Sequence, residues 1–140
     1  MSQENVEIVR RIYDAAARRD SATIFSLYDP EVELDNSRIQ VVGLSPIGVE
    51  TNYRGHDGLR RFFREWHDAW ENIDYDFDEL VDAGGDYVVS LVTRRGRGRA
   101  SGAEVELPLA LLWTLRETKV ARVEWFPSRA EALEAVGLRE

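Results

Sequence analysis

The chain contains no cysteine, so it can form neither a disulfide nor a thiolate metal site. Histidine is nearly as scarce. Only His56 and His67 are present, and neither sits in a ligand spacing such as H-x-x-x-H, so no metal and no metal cofactor is expected. Basic residues are outnumbered: 18 Lys and Arg against 26 Asp and Glu give a formal charge of −8. That balance repels nucleic-acid backbones and anionic membrane surfaces, and neither is expected as a partner. No apolar run approaches the roughly 20 residues of a bilayer-spanning helix, and no repeat of solenoid or propeller length recurs. The opening MSQENVEIVRR lacks the apolar stretch of a secretory signal, so the expected location is cytoplasmic.

The residues that are there suit one soluble domain over 1–140. Apolar residues make up 44% and charged residues 31%, and a chain of this length can bury roughly two-thirds of its unfolded surface around one core. Val6, Val9, Ile12, Tyr13 and Ala16 recur at three- and four-residue steps with charges between them, predicting a one-sided helix over 5–19. Asp20 stands as the N-cap of a shorter helix carrying Ile24, Phe25, Leu27 and Tyr28, stopped at Asp29-Pro30. EVELD alternates about Val32 and Leu34 as a short strand. Residues 36–52 mix Gly, Pro and Ser without a period and read as a long loop, placed to act as a lid or pocket rim.

In YRGHDGLRRFFREWHDAW, Gly55 and Gly58 punctuate the entry to a third helix. Leu59, Phe62, Phe63, Trp66 and Trp70 line one side of it, and Arg60, Arg61, Arg64, Glu65 and Asp68 the other. His67 falls among the solvent-facing charges, while His56 lies in the first turn, where it can satisfy exposed helix ends. IDYDFDEL, DYVVSLVTRR, AEVELPLALLWTLR and KVARVEWF then predict four consecutive strands. DAGGD, GRGRASG and RETK are the turn chemistry between them. Ser128 caps a last short helix that Gly137 stops. The RRGRGR run reads as solvated charge at a hairpin tip; it lacks the interleaved aromatics of an RNA-binding segment.

Helices followed by a meander form an α+β order in which the helices gather on one face of the sheet. If the sheet bends strongly it wraps them into a cone with an apolar pocket at the wide end. The segments VRRIYDAAARRDSATIFSLYDPEVELD, YRGHDGLRRFFREW and KVARVEWFPSRAEALEAVGL resemble local patterns of the SnoaL-like, polyketide cyclase-like group of the nuclear-transport-factor-2-like (NTF2-like) superfamily. That resemblance spans nearly the whole chain. It implies a cone-shaped NTF2-like fold, with a curved antiparallel sheet around three helices of the N-terminal half and a short C-terminal helix. It also implies a homodimer without a cofactor, holding a small apolar, polyketide-like or cyclic molecule. Ketosteroid isomerases of the superfamily carry their catalytic base at the end of the first strand, which matches Asp35. Their oxyanion-hole tyrosine falls on Ile12, one residue from Tyr13, and their protonated aspartate falls on Leu111, so steroid isomerase activity is not expected.

The last strand presents Arg122, Glu124 and Phe126 to one face and Ala121, Val123 and Trp125 to the other. Periodicity allows either face to point inward. One reading buries Val123 and Trp125 and leaves Arg122 with Glu124 as a surface pair worth under about 1 kcal/mol. Alignment to the isomerases turns the Arg122 set inward instead. Asp35 would then move a proton, Arg122 steady negative charge and Glu124 orient Arg122. The small-molecule ligand would rest on Tyr13, Tyr53, Phe63, Trp66, Leu111, Trp113 and Phe126. Acid–base chemistry of isomerase, cyclase or hydrolase type and a non-catalytic ligand-binding or assembly dimer both stay open. The apolar run Leu107, Leu109, Ala110, Leu111 and Leu112 puts apolar residues on both faces of its strand, so one face needs a cover beyond the helices.

Overall fold

The computed structural model describes residues 2–43, 49–99 and 102–137, with side chains from residue 3 onward and excepting those of 71–75 and 77. Helix α1 (Ser2–Ala17) and helix α2 (Ser21–Leu27) form the opening hairpin, joined at Asp20, whose carboxylate accepts the Thr23 backbone N–H at 3.2 Å as an N-cap. Strand β1 (Tyr28–Asp35) follows directly on α2. The stretch 36–52, expected to be one long loop, contains helix α3 (Ser37–Val41) and ends on the first residue of strand β2 (Asn52–Arg54). Five residues with one buried side chain, Ile39, are too few to show a helical period, which is why α3 escapes the pattern. The part of that stretch expected as a lid, 44–48, lies outside the described residues.

Helix α4 (Gly55–Ala69) is the predicted third helix. Gly55 opens it at φ +71°, and a Cβ there would stand 3.3 Å from the Pro30 carbonyl oxygen, so both conformation and space call for glycine. The four predicted strands are β3 (Trp70–Asp82), β4 (Tyr87–Gly98), β5 (Glu104–Arg116) and β6 (Lys119–Phe126), and helix α5 (Arg129–Ala135) ends the described chain. The six strands make one curved sheet in the order β2-β1-β6-β5-β4-β3. All pairs are antiparallel except β1 with β6, which run parallel with Leu34 beside Val123 and Asp35 beside Glu124.

The two faces of the sheet are filled differently. On the inner face Val32, Leu34, Leu111, Trp113, Val123 and Trp125 pack with Val9, Ile12, Ile24, Leu59, Phe62 and Trp66 of α1, α2 and α4. On the outer face Val89, Ala110, Leu112 and Phe126 pack with Ala132 and Leu133 of α5. The second cover that the β5 sequence demands is therefore supplied by the chain's own last helix, and those residues by themselves give no reason for a dimer.

Candidate functional site

Strands β4 and β5 form the floor of the inner face in matched rungs. Val88 pairs with Trp113, Ser90 with Leu111, Val92 with Leu109, Arg94 with Leu107 and Gly96 with Val105. Burial declines along this ladder: Trp113, Leu111 and Leu109 are buried, Leu107 and Val105 only partly so. The floor is closed near Trp113 and opens towards Val105. Above it α1 packs on α2, β3 and β4, while α4 packs on β1, β2 and β3, and the two long helices are not substantial neighbours of each other. Side chains between them face the ladder.

Two polar features interrupt this apolar lining. Ser90 is fully buried; its Oγ accepts the Trp113 Nε1–H at 2.8 Å and lies 2.8 Å from the Tyr13 hydroxyl. One hydroxyl hydrogen lies between Tyr13 and Ser90, and the other is directed away from that bond. Tyr13 is the half-buried member of the node, its ring edge-on to Trp113 at 5.8 Å. Burial also raises the Tyr28 phenol well above its ordinary value, with Tyr13 nearby adding to the effect, so Tyr28 stays neutral. Further along the ladder Arg94 is 2% exposed, its guanidinium 4.8 Å from the Trp66 ring centre and 5.0 Å from that of Trp70. These distances are those of cation–π contacts.

The residues predicted as catalytic come together, but on the opposite face. Arg122 donates to Glu33 at 2.6 Å, to Asp35 at 2.9 Å and to Glu124 at 3.1 Å. Burial alone lowers the Arg122 guanidinium, and the hydrogen bond and charge of Glu124, with the charges of Asp35 and Glu33, more than offset it and leave it raised. Asp35 also accepts the Ser37 backbone N–H at 2.8 Å. Because Leu34, Val123 and Trp125 fill the inner core, strand alternation sends Asp35, Arg122 and Glu124 outward. The alignment that turned them inward is corrected accordingly. Phe126 moves with them, into the outer cluster, where the Arg38 guanidinium stands 5.0 Å from its ring centre.

The remaining predicted lining residues divide. Trp66, Leu111 and Trp113 belong to the buried inner face, and Tyr13 and Phe63 are partly buried against it. Phe63 meets Phe25 edge-on at 6.1 Å. Tyr53 lies at the β2 edge of the same core, but its hydroxyl is committed: it accepts the Glu50 N–H at 2.7 Å and donates to Glu65 at 2.6 Å. His56 bonds the Tyr28 carbonyl at 2.9 Å, so it ties α4 to β1 and does not cap its own helix; His67 is exposed. No cluster of metal-ligating side chains exists among the described residues. An open groove of about 420 Å³ runs between α1, Leu27 and the β5–β6 turn, and none of the predicted lining residues lines it.

Sequence reasoning misses Ser90 and Arg94. The RRGRGR reading is right for Arg95, which pairs with Asp76 and Glu106, and for Arg97, which pairs with Glu104. It fails for Arg94, which is in phase with Val88 and Val92. That phase is the available signal, and it is masked because Val89 and Leu91 make the other phase equally apolar.

A curved antiparallel sheet with helices packed on its inner face defines the NTF2-like class. Within that class the chain belongs to the SnoaL-like domain family, whose match runs over residues 9–123. Among solved structures it is similar to an NTF2-like protein of unknown function from Burkholderia pseudomallei, at 22% identity and TM-score 0.75 over 96% of this chain and 98% of the other. It is similar to TerC, co-crystallised with polyporic acid, at 23% identity and TM-score 0.73 over 95% and 98%. An NTF2-like protein from Burkholderia thailandensis matches at 25% identity and TM-score 0.73 over 92% and 96%. No curated protein matches the chain. Among the described residues no helix is long and apolar enough to cross a membrane.

Proposed function

We propose that the chain binds a small, ring-bearing molecule carrying at least one oxygen along the inner face of the sheet, between α1 and α4. The observation that carries this reading is the ladder: two long helices that are not substantial neighbours of each other lie over one floor, and that floor grades from the Ser90–Tyr13 node to the partly exposed Leu107 and Val105. Four residues of strand separate the Ser90 rung from the Arg94 rung, about 13 Å, the span of two or three fused rings. Membership of the SnoaL-like family and the small molecule held by TerC support the same class of ligand.

Asp35, Arg122 and Glu124 are read as a clamp between β1 and β6, because all three point away from this floor. A proton-transfer role for Asp35 would require a second site on the outer face. The homodimer implied by the resemblance belongs to the same reading and is tested by sedimentation velocity at micromolar concentration. For the ligand site, titration with the neutral probe 2-naphthamide, followed by tryptophan fluorescence, is expected to show saturable binding. Leu111→Trp, which fills the floor, should weaken that binding about tenfold or more, and Asp35→Asn should leave it unchanged. An affinity that Leu111→Trp does not alter would refute the placement.

A further inference from the structure

The inner-face phase of β4 runs from Val88 through Ser90, Val92 and Arg94 to Gly96 and Gly98, so past Arg94 this strand puts no side chain on the floor. Glycine inside a strand often marks a place where a ligand or another chain approaches the backbone closely. Trp70 stands at that open end, opposite Gly98 in the pairing of β3 with β4. Its indole belongs to the inner cluster and meets Trp66 at 6.2 Å between ring centres. Trp70 is 6% exposed, yet its Nε1–H, itself buried, has no acceptor among the described residues. Buried tryptophans usually find a partner for that group, and a donor left without one costs stability until something supplies it. The residue is also held in place from outside. The Arg99 guanidinium donates to the Trp70 carbonyl at 2.9 Å and to the Asp68 carbonyl at 3.1 Å, and the Arg99 backbone N–H donates to the Ala69 carbonyl at 3.0 Å. These bonds occupy carbonyls at the C-terminal end of α4 and fix the backbone of Trp70 before any ligand arrives.

We propose that the Trp70 indole N–H is the donor that recognises the ligand's oxygen, at the open end of the inner-face site, and that this oxygen is a carbonyl. An indole N–H donates and never accepts, so its complement is an acceptor. A ligand hydroxyl would bring a donor of its own in need of a partner, whereas a carbonyl brings only lone pairs. The inference rests on the ligand-binding reading above and adds to it the chemistry of the oxygen and the direction of the ligand: carbonyl end at Trp70, ring over the backbone of Gly96 and Gly98, apolar end towards Leu109 and Leu111.

The test compares 2-acetylnaphthalene with 2-isopropenylnaphthalene, which share ring and shape and differ in carrying C=O or C=CH2, each titrated into the full chain by calorimetry. Trp70→Phe keeps an aromatic face and removes the N–H. It should cut affinity for the ketone by about three- to tenfold and leave the alkene within about twofold. A proton–nitrogen correlation spectrum of the wild type gives a second readout: the Trp70 indole N–H, assigned through its own backbone, should move downfield with the ketone and less with the alkene. Should Trp70→Phe fail to fold, that spectrum decides. Loss of affinity for both probes alike in Trp70→Phe, loss for neither, or equal movement of the indole resonance with both overturns the role of Trp70 and leaves the ligand-binding reading standing. Saturable binding of neither probe overturns both.

Discussion

Replacing Arg122 with Met removes the cation shared by Glu33, Asp35 and Glu124 and leaves three carboxylates gathered at the junction of β1 and β6. The cost lies between two limits. Breaking a fully buried pair costs about 3–5 kcal/mol, because an uncompensated charge stays behind; losing an exposed pair costs about 0–1 kcal/mol. Asp35 and Glu124 are 14% exposed at their side chains, Arg122 is 37% and Glu33 42%. An intermediate figure of about 2–3 kcal/mol follows, or roughly 6–12 °C in Tm for a domain of this size. Urea unfolding of wild type and Arg122→Met near pH 7 measures it. A companion variant, Arg122→Met with Asp35→Asn and Glu124→Gln, removes the repulsion along with the cation and should recover most of the loss. A penalty below about 0.5 kcal/mol at pH 7, or one that the companion variant does not recover, would show these groups to be ordinary solvated charges.

Three further outcomes are expected. Ser90→Ala strands the buried Trp113 Nε1–H and should cost about 1–3 kcal/mol by denaturant unfolding, whereas a change within about 0.5 kcal/mol would mean that the node contributes nothing to stability. The β5–β6 turn holds Glu117 at φ 52° and Thr118 at φ 66°, both in the left-handed region; Glu117→Asn with Thr118→Gly should raise stability by about 1 kcal/mol, measured by calorimetry. Burial, aided by the hydrogen bond to Glu65, pushes the Tyr53 phenol up to about 12 from an unfolded value of about 10. The folded state thus keeps a proton that the unfolded chain gives up, so the stability from this hydroxyl is complete below about pH 10 and is lost as pH rises to about 12. Wild type should lose roughly 2–3 kcal/mol more than Tyr53→Phe over that interval, and parallel pH profiles would contradict it.

How much of this could be read from residues depends on whether the signal is local. Val, Leu and aromatic alternation with turn residues at Gly84–Gly85 and Glu117–Thr118 makes β4, β5 and β6 legible, and the Asp20 and Ser128 caps both hold in the structure. The parallel contact of β1 with β6 is not local, since it joins residues 89 to 92 apart in the chain, and no pattern within either strand encodes it. The short α3 and β2 lack the length for a period. The facing of β6 is ambiguous for a different reason. Trp125 and Phe126 are adjacent and both buried, one in each core, and a register shift stands between Thr114 and Leu115 in the pairing with β5. Alternation then offers two equally apolar faces, and resemblance to the isomerases selects the wrong one.

Arg94 and Arg122 show what settles such a choice. Both arginines lie in strands of the same sheet, and composition treats them alike. Arg94 shares its phase with Val88 and Val92, which meet the helices, so its charge is carried into the core and stacked on two indoles. Arg122 shares its phase with Glu124 and alternates with Val123, so its charge is carried outward and taken up by carboxylates. A slip of one residue in either strand would exchange the two outcomes, because side chains change face with every step. The register set by the turns therefore decides to which face of the sheet each charge is carried, and it places the inner-face cation on β4, a strand to which the catalytic comparison assigns no residue.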